Sequence, residues 1–143
     1  MNDTLVVYFS GNDPKKSATA DAARNLASVT GADLYEIRPQ NPYSKDFNTV
    51  VQEAQRDKDM DARPALAGPS IDVKPYRTII LGFPNWCGTA PMPVFSFLDE
   101  HMKDGSLIGK RIIPFVINDG SGMQHSVDDL KTHYPELDIE EGE

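Results

Sequence analysis

The stretch that decides the fold is Leu81-Gly-Phe-Pro-Asn-Trp-Cys-Gly-Thr-Ala-Pro-Met-Pro-Val94. The run Thr78-Ile-Ile-Leu81, at whose end this stretch begins, predicts a strand that is buried on both faces. Gly82 and Pro84 are expected to end that strand, and Pro91 stands where a helix begins. The loop between strand and helix carries the only Trp and the only Cys of the chain. Because open parallel sheets bind ligands at the carboxyl ends of their strands, this loop is predicted to form one wall of a ligand site.

The rest of the chain alternates between strand-like runs and helical periodicity. Strands are predicted over residues 4–9, 33–37, 78–81 and 111–117, with a fifth over 137–141. Helices are predicted from the first loop to Gly31, around residues 47–54, over about 93–102 and over about 123–134. Strands that alternate with helices form a parallel sheet with right-handed crossovers. The sequence therefore predicts one domain over residues 1–143, a doubly wound α/β sandwich.

The composition restricts the class of partner. The chain of 143 residues has 14 basic and 22 acidic residues, which gives a formal net charge of -8. An acidic surface argues against nucleic acid and anionic membranes, and it suits docking on a protein with a basic face. The alternative is that the acidity serves solubility alone.

The few thiol and imidazole groups exclude several kinds of site. The single cysteine, Cys87, cannot form an internal disulfide or a cysteine metal cluster, and the three histidines lack metal-ligand spacing. No nucleophile and base stand in an order that indicates a hydrolase. The N-terminus has no basic segment before its first apolar run, and no apolar run is long enough to span a membrane. We therefore expect a cytoplasmic protein without a signal peptide, a metal ion or catalytic residues.

The first of three loops expected at the carboxyl edge of the sheet covers residues 10–19. It opens a helix whose free backbone N–H groups and dipole favour an anion. Hydroxyl, amide and ammonium donors are available there from Ser10, Asn12, Lys15, Lys16, Ser17 and Thr19. The alternative is ordinary N-capping of the helix by Asp13 or Ser17.

The second and third loops offer surfaces for an aromatic ligand. In the second, over residues 84–91, Trp86 presents a flat apolar ring, unless the indole belongs to the core. In the third, the run Asn118-Asp-Gly-Ser-Gly122 can turn backbone N–H groups toward a polar ring edge or form a plain turn. If the ligand-binding alternatives hold, the three loops converge on one site at the carboxyl edge of the sheet.

The chain resembles the flavodoxins, and in particular the short-chain flavodoxin-like proteins. The segments that carry the resemblance are Leu5-Val-Val-Tyr-Phe-Ser10, Thr30-Gly-Ala-Asp-Leu-Tyr-Glu-Ile37, Leu81-Gly-Phe-Pro-Asn-Trp-Cys-Gly-Thr-Ala-Pro91 and Gly120-Ser-Gly-Met-Gln-His-Ser-Val-Asp-Asp-Leu130. The resemblance implies a five-stranded sheet in the order 2-1-3-4-5, a flavin mononucleotide (FMN) cofactor, and electron transfer between protein partners. In the family the first loop holds the phosphate, and the other two flank the isoalloxazine ring. The FMN-binding residues are then expected among Ser10, Asn12, Lys15, Ser17, Ala18, Thr19, Pro84, Asn85, Trp86, Cys87, Gly88, Asn118, Asp119, Gly120, Ser121 and Gly122.

The phosphate loop departs from the family pattern, which reads Ser-x-Thr-Gly-Asn-Thr directly after the first strand. Alignment of the first helix places Thr19 on the last Thr of that pattern, Ala18 on its Asn and Ser17 on its Gly. About four residues are then extra, which is close to one helical turn. The glycine that lets the backbone approach the phosphate is lost at Ser17.

Two further departures concern the third loop and the end of the chain. Asp119 stands where the family usually has Gly, and a carboxylate beside a flavin disfavours its reduced anionic form. The sandwich is expected to lack the family's last helix, which leaves one sheet face partly uncovered near the first helix. An uncovered apolar face predicts a homodimer or a tight complex.

Three functions follow from these features. The first is an FMN-binding electron-transfer flavoprotein, a redox carrier rather than a turnover enzyme. The second is a flavodoxin-like scaffold that has lost FMN and acts through protein interaction, because the altered phosphate loop weakens the charge-assisted hydrogen bonds that hold a phosphate. The third is an oxidoreductase, an FMN-dependent quinone reductase, for which no residues specify a nicotinamide or substrate pocket.

Overall fold

The structure is a computed structural model of the chain, and it describes residues 3–11, 17–68, 70–84, 86, 89–117 and 123–140. Five strands and four helices alternate within these residues. In chain order they are β1 (Thr4–Phe9), α1 (Ala18–Thr30), β2 (Asp33–Ile37), α2 (Phe47–Asp59), β3 (Thr78–Pro84), α3 (Met92–Met102), β4 (Arg111–Ile117), α4 (Met123–His133) and β5 (Asp138–Ile139). Each helix predicted from the sequence is present, and β5 is shorter than the predicted residues 137–141.

The strands form a single parallel sheet in the order β2-β1-β3-β4-β5, which confirms the predicted topology. In the register of this sheet, Tyr8 of β1 lies opposite Gly82 of β3, and Pro84 of β3 lies opposite Ile117 of β4. The carboxyl ends of β1, β3 and β4 are therefore neighbours. The three predicted loops all leave the sheet at this edge.

Local sequence explains both ends of α1. The side chain of Ser17 caps the helix by accepting a hydrogen bond from the Ala20 backbone N–H at 3.0 Å. Gly31 ends the helix in the left-handed region, with φ 73°, where glycine carries no Cβ penalty. Of the two capping residues predicted, Ser17 is the one observed, and Asp13 lies outside the described residues.

The prediction that β3 stops at Gly82 was wrong, because the strand continues to Pro84, the second residue that was predicted to end it. Gly82 is required inside the strand by a neighbour on β4. A Cβ atom at this position would lie 2.1 Å from Cζ of Phe115. The glycine therefore makes room for an aromatic ring, and the strand turns into the loop only after Pro84, at its last pair with β4.

Alternating residues of the strands build the core on the two faces of the sheet. On one face, Leu5, Val7 and Phe9 of β1 belong to a large buried cluster that includes residues of α3 and α4. On the other face, Val6 and Tyr8 pack with Ala20 and Ala23 of α1 in a smaller cluster. The side chains of Ile80 and Phe115 are only partly buried against that smaller cluster. They mark the face that the sequence analysis expected to be incompletely covered.

The segment between α2 and β3 contacts α3 through a network of charged side chains. The Arg63 guanidinium donates to the Asp99 carboxylate at 2.6 Å and lies 5.2 Å from the ring centroid of Phe95. The hydroxyl of Tyr134, just beyond α4, donates to the same carboxylate at 2.6 Å. Burial, followed by the contact with Asp99, raises the pKa of Tyr134. One carboxylate thus joins three segments of the chain on this face.

None of the helices in the described ranges combines the length and the apolar character that a membrane span requires.

Candidate functional site

The first two loops meet at the carboxyl edge of the sheet. A Cβ atom built on Gly11 would lie 3.8 Å from Cγ of Pro84 and 4.0 Å from Cζ2 of Trp86. The chain leaving β1 therefore passes directly beside the chain leaving β3. Since β4 ends next to Pro84, the third loop starts at the same place.

Gly11 is a residue of this edge that the sequence analysis did not single out. Its φ is 91°, in the left-handed region that favours glycine. A side chain there would also enter the corner between Pro84 and Trp86. The edge thus has a glycine directly after Ser10. A glycine is the residue type that allows a ligand to approach the backbone closely.

Trp86 is half-buried and fixed by two aromatic side chains. Its ring stands edge-on to Phe9, with centroids 5.3 Å apart, and edge-on to Tyr43, with centroids 5.0 Å apart. Its backbone pairs with that of Thr89 through two hydrogen bonds of 2.9 and 3.0 Å. The sequence left open whether the indole belongs to the core or offers a surface to a ligand. In the structure Trp86 packs against the core and is also partly exposed at the edge.

Tyr43 reaches the site from the loop between β2 and α2, which the sequence analysis treated only as a connection. Its hydroxyl donates to the Asp57 carboxylate of α2 at 2.5 Å. Burial, followed by this hydrogen bond, raises the pKa of Tyr43, so the phenol stays protonated. The signal available in the sequence was an aromatic residue in a Pro-containing loop at the carboxyl end of a strand.

A buried hydroxyl connects the Trp86 turn to α4. Thr89 is 1% exposed, and its side chain donates a short hydrogen bond to the Asp129 carboxylate. A charged acceptor makes this bond stronger than one between neutral groups. The second loop is therefore held at one end by β3 and at the other by α4.

The described residues of the first loop use their polar groups within the protein. Ser10 is 7% exposed, and its hydroxyl donates to Oε2 of Glu36 on β2 at 3.0 Å. The hydroxyl oxygen of Ser17 is occupied by the α1 cap. Thr19 is buried and Ala18 is exposed in the first turn. The backbone N–H groups of that turn carry the partial positive charge of a helix N-terminus, which favours an anion.

Many predicted site residues lie outside the described residues, and their roles stay predictions. They are Asn12, Lys15, Asn85, Cys87, Gly88, Asn118, Asp119, Gly120, Ser121 and Gly122. The same holds for Lys16, which was considered as a charged donor. The structure therefore places Ser10, Ser17, Ala18, Thr19, Pro84 and Trp86 of the predicted set.

Histidine and carboxylate groups away from this edge do not form a metal centre in the part of the chain that is described. His101, near the end of α3, is 5% exposed, and its Nε2 atom has no hydrogen-bond partner. Its ring lies 4.6 Å from that of Phe97, between centroids. Burial lowers the pKa of His101, which favours the neutral imidazole. The group affects stability at acid pH rather than the chemistry of the edge.

These features define a class of protein: a doubly wound parallel sheet whose carboxyl edge joins a glycine turn, a helix N-terminus and a half-exposed indole. Over residues 3–143 the chain matches the Flavodoxin family. The chain belongs to that family. None of the curated proteins matches it.

Solved structures with the same fold support this assignment. A candidate flavoprotein of Bacteroides eggerthii is 32% identical, with a TM-score of 0.85 over 99% of this chain and 87% of that one. A second, from Bacteroides uniformis, is 30% identical, with a TM-score of 0.81 over 99% and 88% of the two chains. A Lactobacillus acidophilus flavoprotein, solved in complex with FMN, is 19% identical, with a TM-score of 0.82 over 99% and 91%.

Proposed function

We propose that the protein binds FMN at the carboxyl edge of its sheet and transfers electrons between protein partners. The observation that carries the proposal is the meeting of Gly11, Pro84 and Trp86 at this edge, with part of the indole exposed. Gly11 leaves the backbone bare beside Pro84 and Trp86, and we infer that a flat aromatic ligand contacts this corner. The L. acidophilus protein of similar fold binds FMN, which supports the same ligand here.

The proposed roles of the chain's residues follow from their places at the edge. The exposed part of Trp86 would contact the isoalloxazine ring, and Phe9 and Tyr43 would keep the indole in position. Backbone N–H groups of the first turn of α1 would receive the phosphate, because a helix N-terminus favours an anion. When bound, FMN supplies one- and two-electron transfer, and the protein supplies its binding, orientation and electrostatics.

A redox partner with a basic docking face is proposed from the charge of the chain, which is -8. Association of such pairs is steered by long-range attraction and slows as salt is added. Self-association through the partly buried side chains of Ile80 and Phe115 is a second proposed contact. Light scattering tests it, and a clean monomer at micromolar concentration would contradict it.

A specific observation favours the second candidate, a scaffold without FMN. The single hydroxyl proton of Ser10 is already donated to Glu36, so this predicted phosphate ligand is not free to donate. Loss of one donor weakens an anion site but does not remove the backbone N–H groups of α1. We therefore retain FMN binding as the proposed function.

The two candidates are separated by flavin titration of the purified protein. FMN binding predicts a yellow protein as purified, or saturable quenching of flavin fluorescence when FMN is added at tens of micromolar. Trp86→Ala should weaken that binding, whereas Val29→Ala, at an exposed position near the other end of α1, should leave it unchanged. Failure of the wild-type protein to bind added FMN would reject the proposed function.

The same preparation tests the carrier role against turnover chemistry. Two oxidoreductases of similar fold, an NADH:FMN oxidoreductase and an FMN-dependent NADH-azoreductase of Bacillus anthracis, are each 15% identical to the chain, which is evidence of fold alone. A carrier should accept electrons from a reduced partner protein without steady-state oxidation of NADH or NADPH. Sustained oxidation of either nucleotide with a quinone acceptor would favour a reductase instead.

A further inference from the structure

The carboxylate of Glu36 lies close to the part of the proposed site that would bind the FMN phosphate, which is also an anion. Glu36 lies on β2 directly opposite Tyr8 of β1 in the register of the sheet. Neighbouring residues at the same register position share a face, so Glu36 is on the face where Tyr8 packs against α1. It is also near the carboxyl end of β2, which is the end of the sheet where α1 begins. The Glu36 carboxylate, hydrogen-bonded to Ser10 just after β1, therefore lies at the edge of the sheet where α1 begins.

Within the part of the chain that the structure describes, Glu36 has one hydrogen bond and one long ion pair. Oε2 accepts the hydroxyl proton of Ser10 at 3.0 Å, and Oε1 lies 4.0 Å from Nε of Arg38. The side chain of Arg38 is 62% exposed, and that of Glu36 is 26% exposed. A long, solvent-exposed ion pair of this kind neutralises a carboxylate only weakly. The charge of Glu36 also acts on Tyr8, whose pKa is raised by burial and then by Glu36, while Arg24, hydrogen-bonded to Tyr8, acts in the opposite direction.

Two physical effects then act on a phosphate at the start of α1. The carboxylate repels the phosphate charge directly, with an energy that depends on distance and on the surrounding dielectric. It also holds the one proton that Ser10 is able to donate, so a phosphate must compete with Glu36 for that hydrogen bond. Neither effect acts on riboflavin, which has the same ring system without the phosphate.

We propose that Glu36 determines how strongly this edge distinguishes phosphorylated from unphosphorylated flavin, by penalising the phosphate. This proposal depends on the proposed flavin binding. It assigns a specificity-determining role to a strand residue outside the three loops. If so, contacts between the isoalloxazine ring and Trp86 contribute more to the affinity for FMN than contacts with its phosphate do.

The experiment compares the dissociation constants of FMN and riboflavin for the full chain and for Glu36→Gln. Glutamine keeps the shape and can still accept the Ser10 hydrogen bond, but it carries no charge. We expect Glu36→Gln to tighten FMN binding about tenfold at low salt and to change riboflavin binding less than twofold. The gain should shrink at high ionic strength. Arg38→Gln should act in the opposite direction, weakening FMN binding and sparing riboflavin.

Glu100→Gln is the matched control, because it removes the same charge from the later part of α3, away from the edge. It should leave the ratio of the two constants unchanged. Equal changes for both flavins, or no change in the ratio with Glu36→Gln, would overturn the role of Glu36 while leaving flavin binding intact. Binding of neither flavin by any variant would reject the proposed function itself, and the role of Glu36 with it. Circular dichroism establishes that each variant is folded.

Discussion

Replacing Gly82 with alanine tests whether the central strand is built as described. Gly82 lies in β3, between β1 and β4, and the ring of Phe115 covers it. An alanine Cβ would come within 2.1 Å of Cζ, 2.5 Å of Cε1 and 2.7 Å of Cε2 of that ring. All three distances are far shorter than van der Waals contact, so the ring or the strand must move.

The cost follows from what can move. Phe115 is partly buried on the α1 face, so its ring can swing outward at the cost of its packing. Added methyl groups in a packed site usually cost about 1–3 kcal/mol. For Gly82→Ala we expect a loss of about 2 kcal/mol in the free energy of unfolding, which corresponds to a melting temperature lower by roughly 6 °C for a domain of this size.

A double-mutant cycle shows whether the loss comes from this contact. Phe115→Ala removes the ring, so adding Gly82→Ala to that variant should cost less than about 0.5 kcal/mol, and the coupling should exceed about 1 kcal/mol. Urea unfolding followed by circular dichroism measures each corner of the cycle. If Gly82→Ala is equally damaging with and without the ring, the cause lies in the strand backbone and the explanation is wrong.

Three other predictions test the edge, the buried histidine and the charged network. Thr89→Val removes the hydroxyl that donates to Asp129, so the carboxylate loses this partner. We expect the variant to bind FMN severalfold more weakly and to lose about 1–3 kcal/mol in the free energy of unfolding. An unchanged urea midpoint and an unchanged FMN affinity would contradict the role of this contact. Burial lowers the pKa of His101 in the folded state, so as the pH falls the unfolded chain binds a proton at this imidazole before the folded chain does. The contribution of neutral His101 to the free energy of unfolding is therefore complete above about pH 6.5 and decreases below it. His101→Leu should flatten this decline in urea titrations between pH 7.5 and 5, and an equally steep decline would refute the assignment. Tyr134→Phe removes a donor to Asp99 and should lower the free energy of unfolding by about 1–2 kcal/mol, whereas a melting curve like the wild type would show that the bond contributes little.

Local sequence predicted the architecture because the periodic signals were strong and consistent. Apolar runs such as that of β1, followed by helical spacing, specified a parallel sheet, and the resemblance supplied its strand order. Ser17 and Gly31 marked the ends of α1 by ordinary capping chemistry. The one clear error concerned the end of β3, since the need for Gly82 comes from a ring on a strand some thirty residues later.

The site was predictable only where it depends on loops that follow strands. Ser10, Pro84 and Trp86 were proposed because each stands where a strand gives way to a loop. The structure places them at one edge of the sheet, and their binding roles stay predictions. Tyr43 and Glu36 were missed, because their roles depend on which strand lies beside which and on register. A polar residue within a strand gives no local sign of the partner that it will meet across the sheet.

The most direct test of the central claim uses the fluorescence of the only tryptophan in the chain. Because that residue is Trp86, its emission reports on the proposed flavin site without interference from other indoles. Titration of the wild-type protein with FMN should quench the emission saturably, with a stoichiometry of one and the same dissociation constant as the flavin signal. Tryptophan emission that stays unchanged while FMN binds would place the flavin elsewhere and contradict the account.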